Sequence, residues 1–360
     1  MSRRASSDAE TAQGGFGNGV AGSVDAVLAE FLADQVRKSA RPQVGLFAGW
    51  LRECLVGGKR LRPVLCWCGW VAAGAHGDPA GVVRVAASLE LFHAFALIQD
   101  DVMDGSDTRR GRPAMHRQIA RLHAGHPAAQ RLGEHVAILL GDLAFGWSYE
   151  LLHTAGLDPD RAAAAWSLLN AMRTETLAGQ YLDLVATGRG HVDLDTALRV
   201  ARAKTAVYTV EYPLRVGAAL GDADQNLHRA FTAYGVPLGE AFQLRDDLLG
   251  VFGDPARTGK PILDDLRSGK PTALLAIAHD RADSAQCTRL GDLVGHLGLD
   301  EDGAAEVRSI FTATGAHTTV EHMITQRCRQ AAVALDSAPL HTEAAAFLRS
   351  LITHATSRDR

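Results

Sequence analysis

Residues 82–112, VVRVAASLELFHAFALIQDDVMDGSDTRRGR, run from an apolar helical segment directly into a cluster of aspartates and then into a cluster of arginines. At about 100° per residue, Asp100 and Asp104 share one helix face, with Asp101 beside them and His93, Ala96 and Leu97 deeper along it. Three carboxylates this close repel one another unless a cation lies between them, and all-oxygen ligands suit Mg²⁺. A solvated acidic helix end would carry the same letters, so the rest of the chain must decide.

Working outward, VDAVLAEFLADQVRK and LRPVLCWCGWVAAGA also place apolar residues at i, i+3, i+4 and i+7. No hairpin signal appears, and AVYTVEYPLRV (206–216) is read as helix kinked by Pro213 because its flanks are helical. The expectation is one all-α domain over residues 23–360, preceded by a disordered tail at 1–22 with no apolar core typical of a signal peptide. A net charge of −4 and a pI near 6.4 give no footprint for nucleic acid. No apolar run approaches the roughly 18 residues of a membrane span. Five cysteines, odd in number and without zinc-type spacing, read as reduced core thiols of a cytoplasmic protein.

Other charged stretches have a chemistry to match. GGKRLRP (57–63) sets Lys59, Arg60 and Arg62 behind two glycines, and Lys59 and Arg62 would point the same way at a helix start, as a phosphate needs. Arg109 and Arg110 follow the aspartates within one loop, which suits a polyanion bridged by metal on one side and guanidinium on the other. LAGQYLDL (177–184) spaces Gln180 and Asp183 one turn apart, as a buried pair or a pocket wall. In FQLRDDLLGVFGDPARTGKP (242–261), Gln243 precedes Asp246 and Asp247, while Gly250 stands where a third aspartate would complete the pattern. GDPARTGKP lacks the spacing, the Ser/Thr and the preceding strand of a P-loop, leaving a glycine-rich loop with Lys260, then DDLRSGKPT with Lys270.

Taken together, GGKRLRP, HxxxLIQDDVMD with RRGRP, GQYLDL, the Lys204-Thr205 pair, FQLRDD, FGDPxxTGKP and DLRSGK resemble the trans-polyprenyl diphosphate synthase family over nearly all of residues 25–358. The resemblance implies an all-helical isoprenoid synthase fold, a homodimer, and two aspartate-rich helices facing each other across a deep cavity. It implies that Asp100 and Asp104 hold Mg²⁺ against an allylic diphosphate and that Asp246 holds a further ion, three ions in all. Arg109, Lys204, Thr205, Gln243, Lys260 and Lys270 would meet the allylic substrate, and Lys59, Arg62, His93 and Arg110 the isopentenyl diphosphate. Catalysis would rest on Asp100, Asp101, Asp104, Arg109, Lys204, Asp246, Asp247 and Lys260. Gln99, where histidine is frequent, and Gly250 are the two departures.

Phe95 and Phe92, five and eight positions before the first aspartate, would form the pocket floor. With small Ala96 beside them, the pattern looks most like a geranylgeranyl diphosphate synthase, with a farnesyl diphosphate synthase as runner-up. A terpene cyclase has no need for a second diphosphate site, and a non-catalytic partner subunit tends to lose aspartates, whereas the first motif is intact here.

Overall fold

The computed structural model describes residues 2–190, 193–253, 263–338 and 340–357. Helix α1, Ser2–Lys38, runs through residues 2–22, where a disordered tail is expected from the sequence. Val20 and Val24 are buried, and a side chain added at Gly17 would touch Val64 at 3.6 Å. A few apolar and small residues scattered among polar ones therefore dock this helix, too sparse a pattern for periodicity to reveal.

The chain forms two compact units, residues 1–165 with 216–222, and residues 166–215 with 223–360. In the first, α2 (Pro42–Leu55) and α3 (Leu61–Ala72) lead to α4 (Pro79–Met103), which packs against α1, α2, α3 and α6 (Ala129–His153). Pro79 occupies the first turn of α4, and the Asp78 carboxylate caps it by accepting from the Ala80 N–H at 3.0 Å. Contrary to the sequence expectation, α4 is long and apolar enough to cross a membrane, with a window of mean hydropathy 1.6, but 72% of that window is buried inside the protein. A helix wrapped by other helices has no polar face to keep.

Between α4 and α5 (Met115–Leu122) lies a two-residue hairpin that the sequence does not announce, β1 (Thr108–Arg109) and β2 (Arg112–Pro113). Its central residues Arg110 and Gly111 have φ of 53° and 71°, the hand of a type I′ turn. Such turns are signalled by Asn-Gly or Asp-Gly; here an arginine takes the left-handed position, at about 1 kcal/mol of strain. Its guanidinium donates to the Val56 carbonyl at 3.1 Å, which holds it there.

The second unit contains most of α7 (Pro159–Ala186), then α8 (Leu194–Ala201), a π-helix over Arg202–Glu211 that continues into the first residues of α9 (Tyr212–Leu220), and α10 (Gln225–Phe252). The 206–216 segment is helical, but its irregularity is the π-turn ahead of Pro213 rather than a simple kink. After α11 (Asp264–Ser268) come α12 (Ala273–Arg281), α13 (Ser284–Leu293), α14 (Glu301–Ala313), α15 (Ala316–Asp336) and α16 (Thr342–Ser357). Helix α10 packs on α15 and on the π-helix. Buried Arg245 donates to both carboxylate oxygens of Glu321 at 2.6 and 2.9 Å, and Arg327 pairs with Glu240 at 2.5 Å, fixing the rotation of α10. A methyl at Gly239 would lie 2.4 Å from the Ala206 Cα, and one at Gly179 2.6 Å from the Lys204 nitrogen. The π-helix is thus in backbone contact with both α10 and α7.

Candidate active site

Each unit carries one group of the residues singled out in the sequence. In the first unit, Asp100 and Asp101 stand in the last turn of α4 and Asp104 caps it, the Asp104 N–H donating to the Asp100 carbonyl at 2.8 Å. Carboxylates at a helix C-terminus add to its partial negative charge, each costing roughly 0.3–1 kcal/mol. Without a compensating cation this arrangement is unfavourable. Arg109, delivered by β1, provides one: its Nε donates to Asp101 Oδ1 at 2.9 Å and its Nη2 lies 3.4 Å from Asp100 Oδ2. Asp101 is turned inward, 4% exposed, and burial pushes its carboxyl up against the pull of Arg109. That leaves Asp100 and Asp104 as the more accessible carboxylates.

His93, two turns before Asp100, keeps a neutral imidazole: burial first, then Arg62, Arg110, Arg109 and Arg60, hold it well below its ordinary value. Arg110 is lowered in turn by burial, with Arg60, Arg109 and Arg62 adding repulsion against the attraction of Glu90. Cations crowded this way around a neutral ring are prepared for an anion. Helix α3 begins only at Leu61, so Lys59 lies in the preceding loop and the shared helical face expected for Lys59 and Arg62 does not form. Arg60 explains why. It adopts a left-handed conformation (φ 50°), is 7% exposed, and its guanidinium is consumed by Asp25, by Glu90 at 2.9 Å and by the Leu55 carbonyl. It is a structural cation, and Lys59 and Arg62 flank it.

Phe92 and Phe95 are 1% and 8% exposed, with ring centroids 5.5 Å apart. The structure adds Phe145 of α6, 4.9 Å from Phe95 and 6.1 Å from Phe92, and Tyr149 at 5.1 Å from Phe145. Nothing in the sequence tied α6 to these aromatics. Phe92 is enclosed by rings, and Phe95 is the more exposed of the pair.

In the second unit, the π-helix presents Lys204 and Thr205 to their neighbours. Lys204 Nζ donates to Asp183 at 2.6 Å, which ties the π-helix to α7. Thr205 donates to the Gln243 amide oxygen at 2.6 Å, and the Gln243 amide nitrogen donates to Asp247 at 2.8 Å. Burial pushes Asp247 up to about 7; Gln243 works against this, while Asp265 and Asp246 add to it. Asp246 is the more exposed of the adjacent pair. Lys270 stands 3.4 Å from Asp265, and Lys260 with its glycine-rich loop lies outside the described residues.

Asp265 is the residue that sequence reading missed. A Cβ at Gly250 would lie 2.4 Å from Asp265 Oδ2, so the carboxylate from α11 fills the space in front of the missing third aspartate. The only signal was the doubled acid in DDLRSGK, read there for its lysine alone.

These donors fit Mg²⁺. All are carboxylate oxygens, and among the described residues no three His, Cys, Asp or Glu side chains converge on one metal position. Mg²⁺ characteristically takes one or two protein carboxylates and completes its shell with water and substrate phosphate.

The polyprenyl synthetase family model matches residues 46–312. A (2E,6E)-farnesyl diphosphate synthase of Mycobacterium tuberculosis is 33% identical over 295 residues, 79% of this chain and 76% of that protein. A geranylgeranyl diphosphate synthase of the same organism is 34% identical over 258 residues, 70% of this chain and 69% of its own length. Among solved structures, a geranylgeranyl pyrophosphate synthase of Corynebacterium glutamicum, complexed with isoprenyl diphosphate and magnesium, superposes with a TM-score of 0.89 at 38% identity, covering 94% of this chain and 98% of that one. With its helical architecture and its aspartate motifs, the chain belongs to the polyprenyl synthetase family of prenyltransferases.

Proposed function

We propose that this protein joins an allylic diphosphate to isopentenyl diphosphate, head to tail, and releases a short-chain all-trans prenyl diphosphate, geranylgeranyl diphosphate before farnesyl diphosphate. The observation that carries this reading is the pairing, within one unit, of an aspartate cluster with a separate group of cations around neutral His93. One anion site would serve a cyclase; a metal-type site beside a cationic one serves two diphosphates.

Asp100, Asp104 and Asp246 would hold Mg²⁺, which when bound offsets the negative charge gathering on the departing diphosphate. Arg109, Lys204, Lys260 and Lys270 add fixed positive charge to that group, with Thr205 and Gln243 orienting it through their hydrogen-bonded chain to Asp247. Asp101 sets the position of Arg109, and Asp265 takes the role that a third aspartate at 250 would have. Lys59, Arg62, His93 and Arg110 bind isopentenyl diphosphate, whose double bond attacks the allylic carbon as the carbon–oxygen bond breaks. The proton lost afterwards goes to the released diphosphate, and no side chain is assigned as base. Phe95, Ala96 and Leu97 keep water from the cationic carbon, and Phe95, backed by Phe92 and Phe145, ends the chain's path.

Two further features follow from the same reading. A homodimer accords with the exposed apolar stripe of Leu177, Tyr181 and Leu184 on α7, where Tyr181 is 66% exposed. A cytoplasmic setting accords with five unbonded cysteines, among them Cys66, whose thiol burial pushes up to about 12.

The test is incubation of purified protein with Mg²⁺, isopentenyl diphosphate and dimethylallyl, geranyl or farnesyl diphosphate, followed by phosphatase and chromatography. Elongated prenyl alcohols, lost on adding a chelator, are expected. A hydrocarbon from one substrate alone would make it a cyclase, and no product a partner subunit.

A further inference from the structure

A cleft of about 330 Å³ lies outside the residues assigned above. Trp50 and Glu53 of α2, Arg112 and Pro113 of β2, and Arg121 and Leu122 of α5 line it. We propose that this cleft is an accessory binding site for a phosphate ester carrying an apolar chain.

Its cations are available. Arg121 is exposed, and its guanidinium makes no hydrogen bond or ion pair among the described residues. Arg112 meets Glu53 at 3.6 Å with the two side chains 55% and 46% exposed, a contact worth at most about 1 kcal/mol. A phosphate offers both guanidinium groups stronger, charge-assisted bonds. Two arginines against one glutamate leave a single net positive charge, which suits one phosphate ester group better than a diphosphate.

Its walls are apolar where a bare anion has no use for them. Trp50, Pro113 and Leu122 supply them, and Leu122 is 67% exposed. The Trp50 ring, half-buried, rests 5.8 Å from Phe47. Water-facing apolar side chains beside two guanidinium groups match a ligand with a charged head and a greasy body. The volume is at the small end of the range for organic ligands, enough for a head group and the first segment of a chain.

The floor is held in place from below. The Gln118 amide donates to the Pro113 carbonyl at 2.8 Å, tying α5 to the hairpin. Arg112 is the direct cross-strand partner of Arg109, which holds Asp100 and Asp101. A ligand that draws Arg112 from Glu53 therefore acts on the strand that carries Arg109.

Calorimetric titration of the full chain with geranyl monophosphate, without Mg²⁺, tests the site. The exposed substitutions Arg121→Ala and Leu122→Ser should each weaken binding by about fivefold or more, with unchanged circular dichroism melts, whereas Lys59→Ala in the diphosphate-binding loop should leave it intact. Inorganic phosphate should bind about tenfold more weakly than the ester. Wild-type affinity in both α5 variants together with loss in Lys59→Ala would overturn the proposal, as would equal affinity for ester and inorganic phosphate. Sedimentation with phosphatidylglycerol vesicles identifies the source. Vesicle binding lost in the α5 variants supports the site with a membrane lipid as ligand, and ester binding without vesicle binding supports it with a free prenyl phosphate.

Discussion

Gly250 and Asp265 should behave as one energetic unit. An alanine at 250 places its Cβ 2.4 Å from Asp265 Oδ2, about 1 Å inside ordinary contact, so the carboxylate, whose other oxygen meets Lys270 at 3.4 Å, must move. In the last turns of α10, replacing glycine with alanine would otherwise gain up to about 1 kcal/mol of helix stability. The gain is therefore cancelled while Asp265 is present and recovered in an Asp265→Ala background. Urea unfolding of the wild type, both single variants and the double variant should give a coupling of about 1 kcal/mol. Equal effects of Gly250→Ala in the two backgrounds, within about 0.5 kcal/mol, would refute the contact. The functional counterpart is a relocated carboxylate. Asp265→Ala should lower turnover by about tenfold, as loss of groups around a metal commonly does, and Gly250→Asp in that background should restore part of it. A double variant no more active than Asp265→Ala would show that the space needs no acid.

Phe95→Ala should lengthen the prenyl product, read by chromatography of the dephosphorylated alcohols, at a stability cost of about 3 kcal/mol because the site is packed by Phe92 and Phe145; an unchanged product distribution would remove Phe95 as the floor. Arg60→Ala strands buried Glu90 and should destabilise by about 3–5 kcal/mol in denaturant unfolding, whereas an exposed cation such as Lys59 should cost little. His116 is 2% exposed, with neither ring nitrogen hydrogen-bonded among the described residues, and burial, with Arg117 adding repulsion, lowers it from 6.5 against the pull of Glu134 and Asp107. Below pH 6.5 the unfolded chain then binds more protons than the folded one, so stability should be full above that pH and fall as pH drops toward the lowered folded value. His116→Leu should flatten the fall in stability below pH 6.5, and an unchanged slope would exclude His116 as the source.

The stretch running into DDVMD, with its apolar helix and terminal acids, raised a helical protein with a cation-dependent centre, because a 3.6-residue period and an acid cluster are both local properties, and the charged stretches elsewhere in the chain decided for it. The order of motifs was enough for the family. Local pattern could not show which charges in a cluster were already spent. Arg60 reads like Lys59 and Arg62, yet a left-handed turn buries it against Asp25 and Glu90. Asp101 reads like Asp100, yet Arg109 turns it inward. The docking of α1, the RRGR hairpin, the Phe145 contact and the Asp265 carboxylate in front of Gly250 join residues far apart or rest on weak local signals. Side-chain identity and spacing thus determined the elements and the kind of chemistry. Packing decided which groups keep their charge accessible, since burial and pairing depend on neighbours that only the folded chain supplies.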